Sequence, residues 1–195
     1  MIFNLLAAYL LGSIPFGLVL SNIFGKGNLL KSGSKNIGAT NVLRTQGKML
    51  GAATLLCDFL KGYFACRFFA TESDPLLNCF IISAPVLGHI FPAWLKFKGG
   101  KGFATYLGIL CFVDSKTFLG AGAIWLIMFA ITKISSLSGL TSVAGSVFLF
   151  SWMNHGEKFT LTMLILLALL IILRHRENII RLIRKEEKPL CESGK

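Results

Sequence analysis

Residues 1–24 read MIFNLLAAYLLGSIPFGLVLSNIF and contain no charged side chain. A secretory signal opens with positive charge and ends at a small-residue cleavage site. Here the first cation, Lys26, follows the apolar run. The run also exceeds the ~20 residues a helix needs to cross a bilayer. The stretch is therefore expected to be a membrane span rather than a cleaved signal. Cations collect on the cytoplasmic side, so the lysines behind it place the N-terminus outside.

Outward from this stretch the same composition continues. Hydrophobic residues make up 54% of the 195 and charged residues 15%, against ~25% charged in ordinary soluble domains. Mean hydropathy is +0.68. Too little polar surface remains for a soluble globule, and disorder is excluded on the same ground. Further apolar segments are expected at roughly 49–70, 76–95, 102–113, 117–132, 137–153 and 159–173. With the first they make seven, the one at 102–113 being short for a span or re-entrant. The fold expected is an all-α polytopic membrane protein of one domain, 1–195, with the C-terminus cytoplasmic.

Charge tests that count. The net charge is +11, from 20 Lys and Arg against 9 Asp and Glu. In the seven-span arrangement sixteen cations fall inside, and only Lys116 and Lys158 fall outside, beside Glu72, Asp74, Asp114 and Glu157. That asymmetry is the positive-inside pattern. Topology thus accounts for a basicity that would suggest nucleic acid in a soluble chain, and no aromatic–basic module supports that partner. The five cysteines have no paired spacing and read as small apolar residues. His, Asp and Glu show no metal-ligand spacing.

Three cytoplasmic stretches depart from plain span and loop. The first, KSGSKNIGATNVLRTQGK at 31–48, is rich in Gly, Ser, Asn and Thr. Its small residues let backbone N–H groups approach an oxyanion, and Arg44 offers a bidentate fork for phosphate. The bland alternative is a polar loop. The second, GHIFPAWLKFKGGKGFAT at 88–105, sets Gly99, Gly100 and Gly102 around Lys101 before an apolar segment, a phosphate-type helix entry. It is not a nucleotide P-loop, since Gly102 stands where Ser or Thr would bind magnesium. The bland alternative is a basic anchor with a flexible turn. The third, RHRENIIRLIRKEEK at 174–188, has the pattern of an amphipathic interfacial helix, with Arg181, Arg184 and Lys185 on anionic lipid. His175 and Asn178, three apart, share one helical face. Asp58 and Lys61 lie three apart inside an apolar segment, and mutual pairing is their ordinary explanation.

These strings resemble the bacterial acyl-phosphate-dependent glycerol-3-phosphate acyltransferase family. GSKNIGATNVLR, DFLKG, GHIFPAWLKFKGGKGFAT and HRENIIRL occur in the family's order over nearly the whole chain. The resemblance implies a seven-helix bundle of the bacterial inner membrane with its active site facing the cytoplasm. It implies transfer of a fatty acyl group from acyl phosphate to the 1-hydroxyl of glycerol 3-phosphate, giving lysophosphatidic acid and phosphate without a cofactor. It carries catalytic roles to Ser34, Arg44, His89, Lys101, Ser136, His175 and Asn178. Substrate binding goes to Asn36, Gly38, Thr40, Asn41, Gly99, Gly100 and Gly102. On this basis Arg44, Lys101, His175 and Asn178 are expected to hold glycerol 3-phosphate, and Ser34, Asn36 and Thr40 the acyl phosphate.

The family usually has Gly where this chain has Lys35, which argues against a need for positive φ there. No covalent nucleophile is evident, and neither His89 nor His175 has a carboxylate partner close in sequence. The base is therefore a histidine or the acyl phosphate's own oxygens. The rival readings are a small transporter for phosphorylated solutes and a lipid-binding scaffold. A transporter needs polar groups through the midplane, whereas the polar stretches here collect on one face. A scaffold leaves the loops at 31–48 and 97–105 without a purpose.

Overall fold

The computed structural model describes residues 2–71 and 74–190. Glu72, named above, and Cys191 and Lys195, included above among the five cysteines and sixteen inside cations, lie outside the described residues. All the regular structure described is helical. In chain order the α-helices are α1 (Ile2–Gly12), α2 (Phe16–Ile23), α3 (Ala39–Gln46), α4 (Lys48–Phe69) and α5 (Pro75–Ile90). There follow α6 (Phe103–Val113), α7 (Ser115–Thr132), α8 (Ser135–Met153), α9 (Lys158–Arg174) and α10 (Arg176–Ile183). Four helical stretches are long and apolar enough to cross a membrane: α4, Pro75–Leu95, α7 and α8. Two bent pairs, α1 with α2 and α9 with α10, bring the number to six. The chain divides into two compact units, Met1–Ile109 and Leu110–Lys195.

In the first unit the opening stretch is not one straight helix. It bends by 47° between α1 and α2. Pro15 has no N–H to continue the ladder and disfavours a helical Ile14. The carbonyls at the break are taken up by side chains: Trp94 donates its indole N–H to Ser13 O at 2.8 Å, and Lys61 its ammonium to Ile14 O at 2.7 Å. Backbone freed within lipid needs such partners. α1 lies close along α5 through small residues; a Cβ on Gly12 would overlap the Pro85 backbone, and one on Gly88 the Tyr9 carbonyl. Ala8, Ala65, Ile81 and Ala84 form a core between α1, α4 and α5. Leu29, Val42 and Leu50 form another beneath α3, joined by Leu18 and Leu20. Asp74 caps α5 by accepting from Leu76 and Leu77, with Pro75 in the first turn, where its missing N–H costs nothing.

In the second unit α7 packs along α8, and α8 against α9. Asp114 caps α7 through the Thr117 N–H at 2.9 Å. Ser142 donates across to the Ala121 carbonyl at 2.8 Å. α9 turns by 61° into α10 at His175. α10 ends at Ile183, so the helix expected over 174–188 covers only its first part. Lys185 at φ +57° turns the chain, and the Leu190 N–H reaches Lys133 O at 2.8 Å.

Candidate active site

In the first unit residues 32–38 form a loop that leads into the N-terminus of α3. Its organiser is the buried Asn41, whose Oδ1 accepts the Ser34 N–H at 2.9 Å. The Asn41 amide donates to Ser32 O at 3.1 Å and Asn36 O at 2.8 Å. Asn36 Oδ1 accepts the Gly38 N–H at 2.9 Å, a short side-chain turn just before the helix. Gly33 must be glycine, since its φ is +59° and a Cβ there would overlap Asn41 Oδ1. Ser34 is exposed, Thr40 is half-buried in the first turn of α3, and Arg44 is half-buried one turn on. Lys35 adopts φ +56°. This corrects the expectation that a lysine there removes the need for positive φ: the bend is kept and the side chain bears the strain.

The second stretch follows α5. The Gly99 N–H bonds Ile90 O and the Gly100 N–H bonds His89 O, both at 3.0 Å, so the loop lies against the end of α5. Gly102 then turns at φ +89° and α6 begins at Phe103. The entry is thus a glycine loop feeding a helix N-terminus, with the half-buried Lys101 inside it. A Cβ on Gly99 would overlap His89 O, and one on Gly100 would overlap His89 Nε2.

His89 is 4% exposed. Its Nδ1 stands 3.6 Å from Asp58 Oδ1, and Lys61 Nζ stands 2.7 Å from the same oxygen. Mutual pairing of Asp58 and Lys61 is present as expected. No carboxylate lies near His89 in sequence, as expected; the one that faces it, Asp58, comes from another helix, 31 positions away.

In the second unit Ser136, at the start of α8, donates to Glu187 Oε1 at 2.8 Å, and the Asn178 amide donates to the same oxygen at 2.7 Å. Arg181 Nε pairs with Glu187 Oε2. Ser138, by contrast, bonds back to its own helix at Ile134 O. His175 sits at the bend, with Nδ1 2.8 Å from Ile171 O. A carbonyl only accepts, so Nδ1 carries the proton and a neutral ring leaves Nε2 as acceptor. The structure therefore brings Ser136 and Asn178 onto one carboxylate that sequence reasoning missed. Burial pushes the Glu187 carboxyl up, but the hydrogen bonds from Arg181, Ser136 and Asn178 and the Arg181 charge outweigh it, leaving it below the usual carboxylate range. Arg181, expected on lipid, is also paired with Glu187 through its Nε. No group of three or more His, Cys, Asp or Glu able to hold a metal ion occurs among the described residues.

A sequence profile described as glycerol-3-phosphate acyltransferase matches residues 2–185. The chain belongs to the glycerol-3-phosphate acyltransferase family. It is 43% identical to the glycerol-3-phosphate acyltransferase of Bartonella henselae over 197 aligned residues, covering 97% of this chain and 92% of the relative. The corresponding protein of Dinoroseobacter shibae is 46% identical over 185 residues, covering 93% and 89%. Among solved structures the chain resembles PlsY (YgiH), an integral membrane glycerol 3-phosphate acyltransferase, in its glycerol 3-phosphate form. The TM-score is 0.90 at 38% identity, over 96% of this chain and 94% of that one. The lysophosphatidic acid form of PlsY superimposes with a TM-score of 0.86 at 36% identity. Within this family frame Glu187 lay hidden in a run of mixed charge, KEEK, that reads as a solvated face. Its signal is spatial, because Ser136 and Asn178 are 51 and 9 positions from it.

Proposed function

We propose that this chain transfers a fatty acyl group from acyl phosphate to the 1-hydroxyl of glycerol 3-phosphate, releasing lysophosphatidic acid and phosphate. The observation that carries this reading is the glycine loop 99–102, bonded to the end of α5 and opening α6 with Lys101 inside it. Backbone N–H groups at such an entry favour a phosphate oxyanion. The structures of relatives with glycerol 3-phosphate and lysophosphatidic acid support the acceptor and the product. The donor class rests on the motif resemblance.

In this reading Arg44 and Lys101 neutralise phosphate, Ser34, Asn36 and Thr40 line the donor's phosphate, and His175 and Asn178 contact the acceptor, while Ser136 donates its hydroxyl hydrogen bond to Glu187. Asn41 is assigned to folding its loop, because its side chain already makes three hydrogen bonds to backbone. The acceptor hydroxyl attacks the acyl carbon, the bond from that carbon to the phosphate oxygen breaks, and the electron pair leaves with phosphate. The hydroxyl proton goes to a phosphate oxygen. An acyl phosphate is already an activated anhydride, so holding both reactants in attack geometry supplies ~7–11 kcal/mol without an enzyme nucleophile. The buried His89, packed on Gly100, fits this substrate-assisted route better than a histidine base.

The chain is proposed to lie in the bacterial inner membrane with seven spans, counting α6, the N-terminus outside and the site facing the cytoplasm. Purified protein in lipid, given palmitoyl phosphate and labelled glycerol 3-phosphate beside a palmitoyl-CoA control, is expected to form labelled lysophosphatidate from acyl phosphate alone. Product from palmitoyl-CoA alone would overturn the donor, and none from either donor would overturn the reaction. Arg44→Ala is expected to raise the KM for glycerol 3-phosphate; unchanged kinetics would remove Arg44 from the site.

A further inference from the structure

Three buried side chains of the first unit and the carbonyl of one half-buried residue form a chain of contacts that none of the assigned roles uses. The Ile14 carbonyl, at the break between α1 and α2, takes the Lys61 ammonium at 2.7 Å. Lys61 pairs with Asp58 at 2.7 Å, and the same Asp58 oxygen faces His89 Nδ1 at 3.6 Å. The other edge of the His89 ring, Nε2, fills the space that a Cβ of Gly100 would need. Asp58, Lys61 and His89 are 2%, 3% and 4% exposed. A charged pair this deep is retained at a cost in desolvation, and it carries a function by default when it lies within a membrane segment.

We propose that Asp58 is a positioning residue for the glycine loop, acting through His89. Its carboxylate, fixed by Lys61, sets the imidazole as the Nδ1–H tautomer. The 3.6 Å separation is a few tenths of an ångström longer than an N–H···O hydrogen bond, so the carboxylate orients the ring by charge rather than through a hydrogen bond. Nε2 is then the unprotonated edge turned to Gly100. The ring, wedged between Asp58 and the loop, holds Gly99 and Gly100, whose N–H groups are bonded to the end of α5, in place, and so sets the position of Lys101 and of the α6 N-terminus behind it toward phosphate. His89 itself is too enclosed to reach a substrate hydroxyl. The inference rests on the reading of the glycine loop as a phosphate site.

The test joins a spectrum with kinetics. The chain has three histidines, His89, His155 and His175, so 15N-histidine NMR in nanodiscs is tractable, with assignment by His155→Gln and His175→Gln. Wild-type His89 is expected to carry its proton on Nδ1. The double variant Asp58→Leu with Lys61→Met leaves no unpaired buried charge. It is expected to lose that tautomer preference and to raise the KM for glycerol 3-phosphate by ~10-fold or more, with kcat changed far less, the signature of lost ground-state binding. A wild-type His89 protonated on Nε2 overturns the proposal without any variant. A folded double variant with an unchanged KM also overturns it. If the wild-type chain transfers no acyl group, the proposed reaction fails, and the histidine spectrum still decides the tautomer.

Discussion

Two side chains illustrate how much one residue can hide. Lys35 stands at φ +56°, where an L-residue other than glycine bears roughly 1–2 kcal/mol. Lys35→Gly removes that strain and gives back part of it as chain entropy. It is expected to raise stability by ~0.5–1 kcal/mol, read as a higher melting temperature in nanodiscs with unchanged turnover. The sequence pointed the other way, because a lysine in place of glycine looks like evidence that the bend is gone. Glu187 makes a prediction about pH. Its folded-state pKa is lowered against the opposing effect of burial, through bonds from Arg181, Ser136 and Asn178. The stabilisation is therefore present above the carboxyl's unfolded pKa, ~4.3, and is lost as pH falls through the lower folded value. Glu187→Gln should melt well below wild type at pH 7, and the two should converge as pH falls below 4. A gap that persists into acid would mean that the charge of Glu187 does not hold the turn.

At the scale of elements, long helices were legible and their interruptions were not. The apolar runs at 49–70 and 117–132 correspond to α4 (Lys48–Phe69) and α7 (Ser115–Thr132) within two residues, because about twenty apolar residues admit few other structures in lipid. Residues 1–24 read as one span, yet Pro15 splits them into α1 and α2 with a 47° bend. A proline kink inside a membrane helix depends on whether other side chains take the freed carbonyls. Here Trp94 and Lys61, both remote in sequence, do so. The amphipathic pattern at 174–188 likewise overran α10, because a periodicity of charge does not show where a carboxylate folds inward. The motif at 97–105 was legible as a glycine loop before a helix, but not its packing on His89. Gly100→Ala would drive a methyl into His89 Nε2. It is expected to raise the KM for glycerol 3-phosphate by ~10-fold or more and to lower the melting temperature through overpacking. A normal KM would detach the loop from phosphate binding.

For the molecule as a whole, the parity of the span count decides the topology. The long helices and bent pairs give up to six candidate crossings; six would put both termini on one side. Seven crossings, with the termini on opposite sides, require α6, whose eleven residues reach only ~16 Å against a hydrocarbon core of ~30 Å. Terminal tags probed with a membrane-impermeant reagent on spheroplasts are expected to find the N-terminus accessible and the C-terminus protected. Both termini on one side would make α6 a re-entrant segment. The outward apolar residues of α7, among them Leu119, Leu126, Ile127 and Ile131, suit lipid on that helix under either count. The break between α1 and α2 bears on how the chain is made. Ile14 emerges from the ribosome 47 residues before Lys61, the side chain that receives its carbonyl. The kinked stretch is therefore made with part of its backbone unserved, and its break is complete only after both Lys61 and the later Trp94, which takes Ser13 O, have been made. Until then the freed carbonyls lack these partners, so substitutions at Lys61 are expected to lower the yield of inserted protein, while the fraction that folds still shows the changed KM.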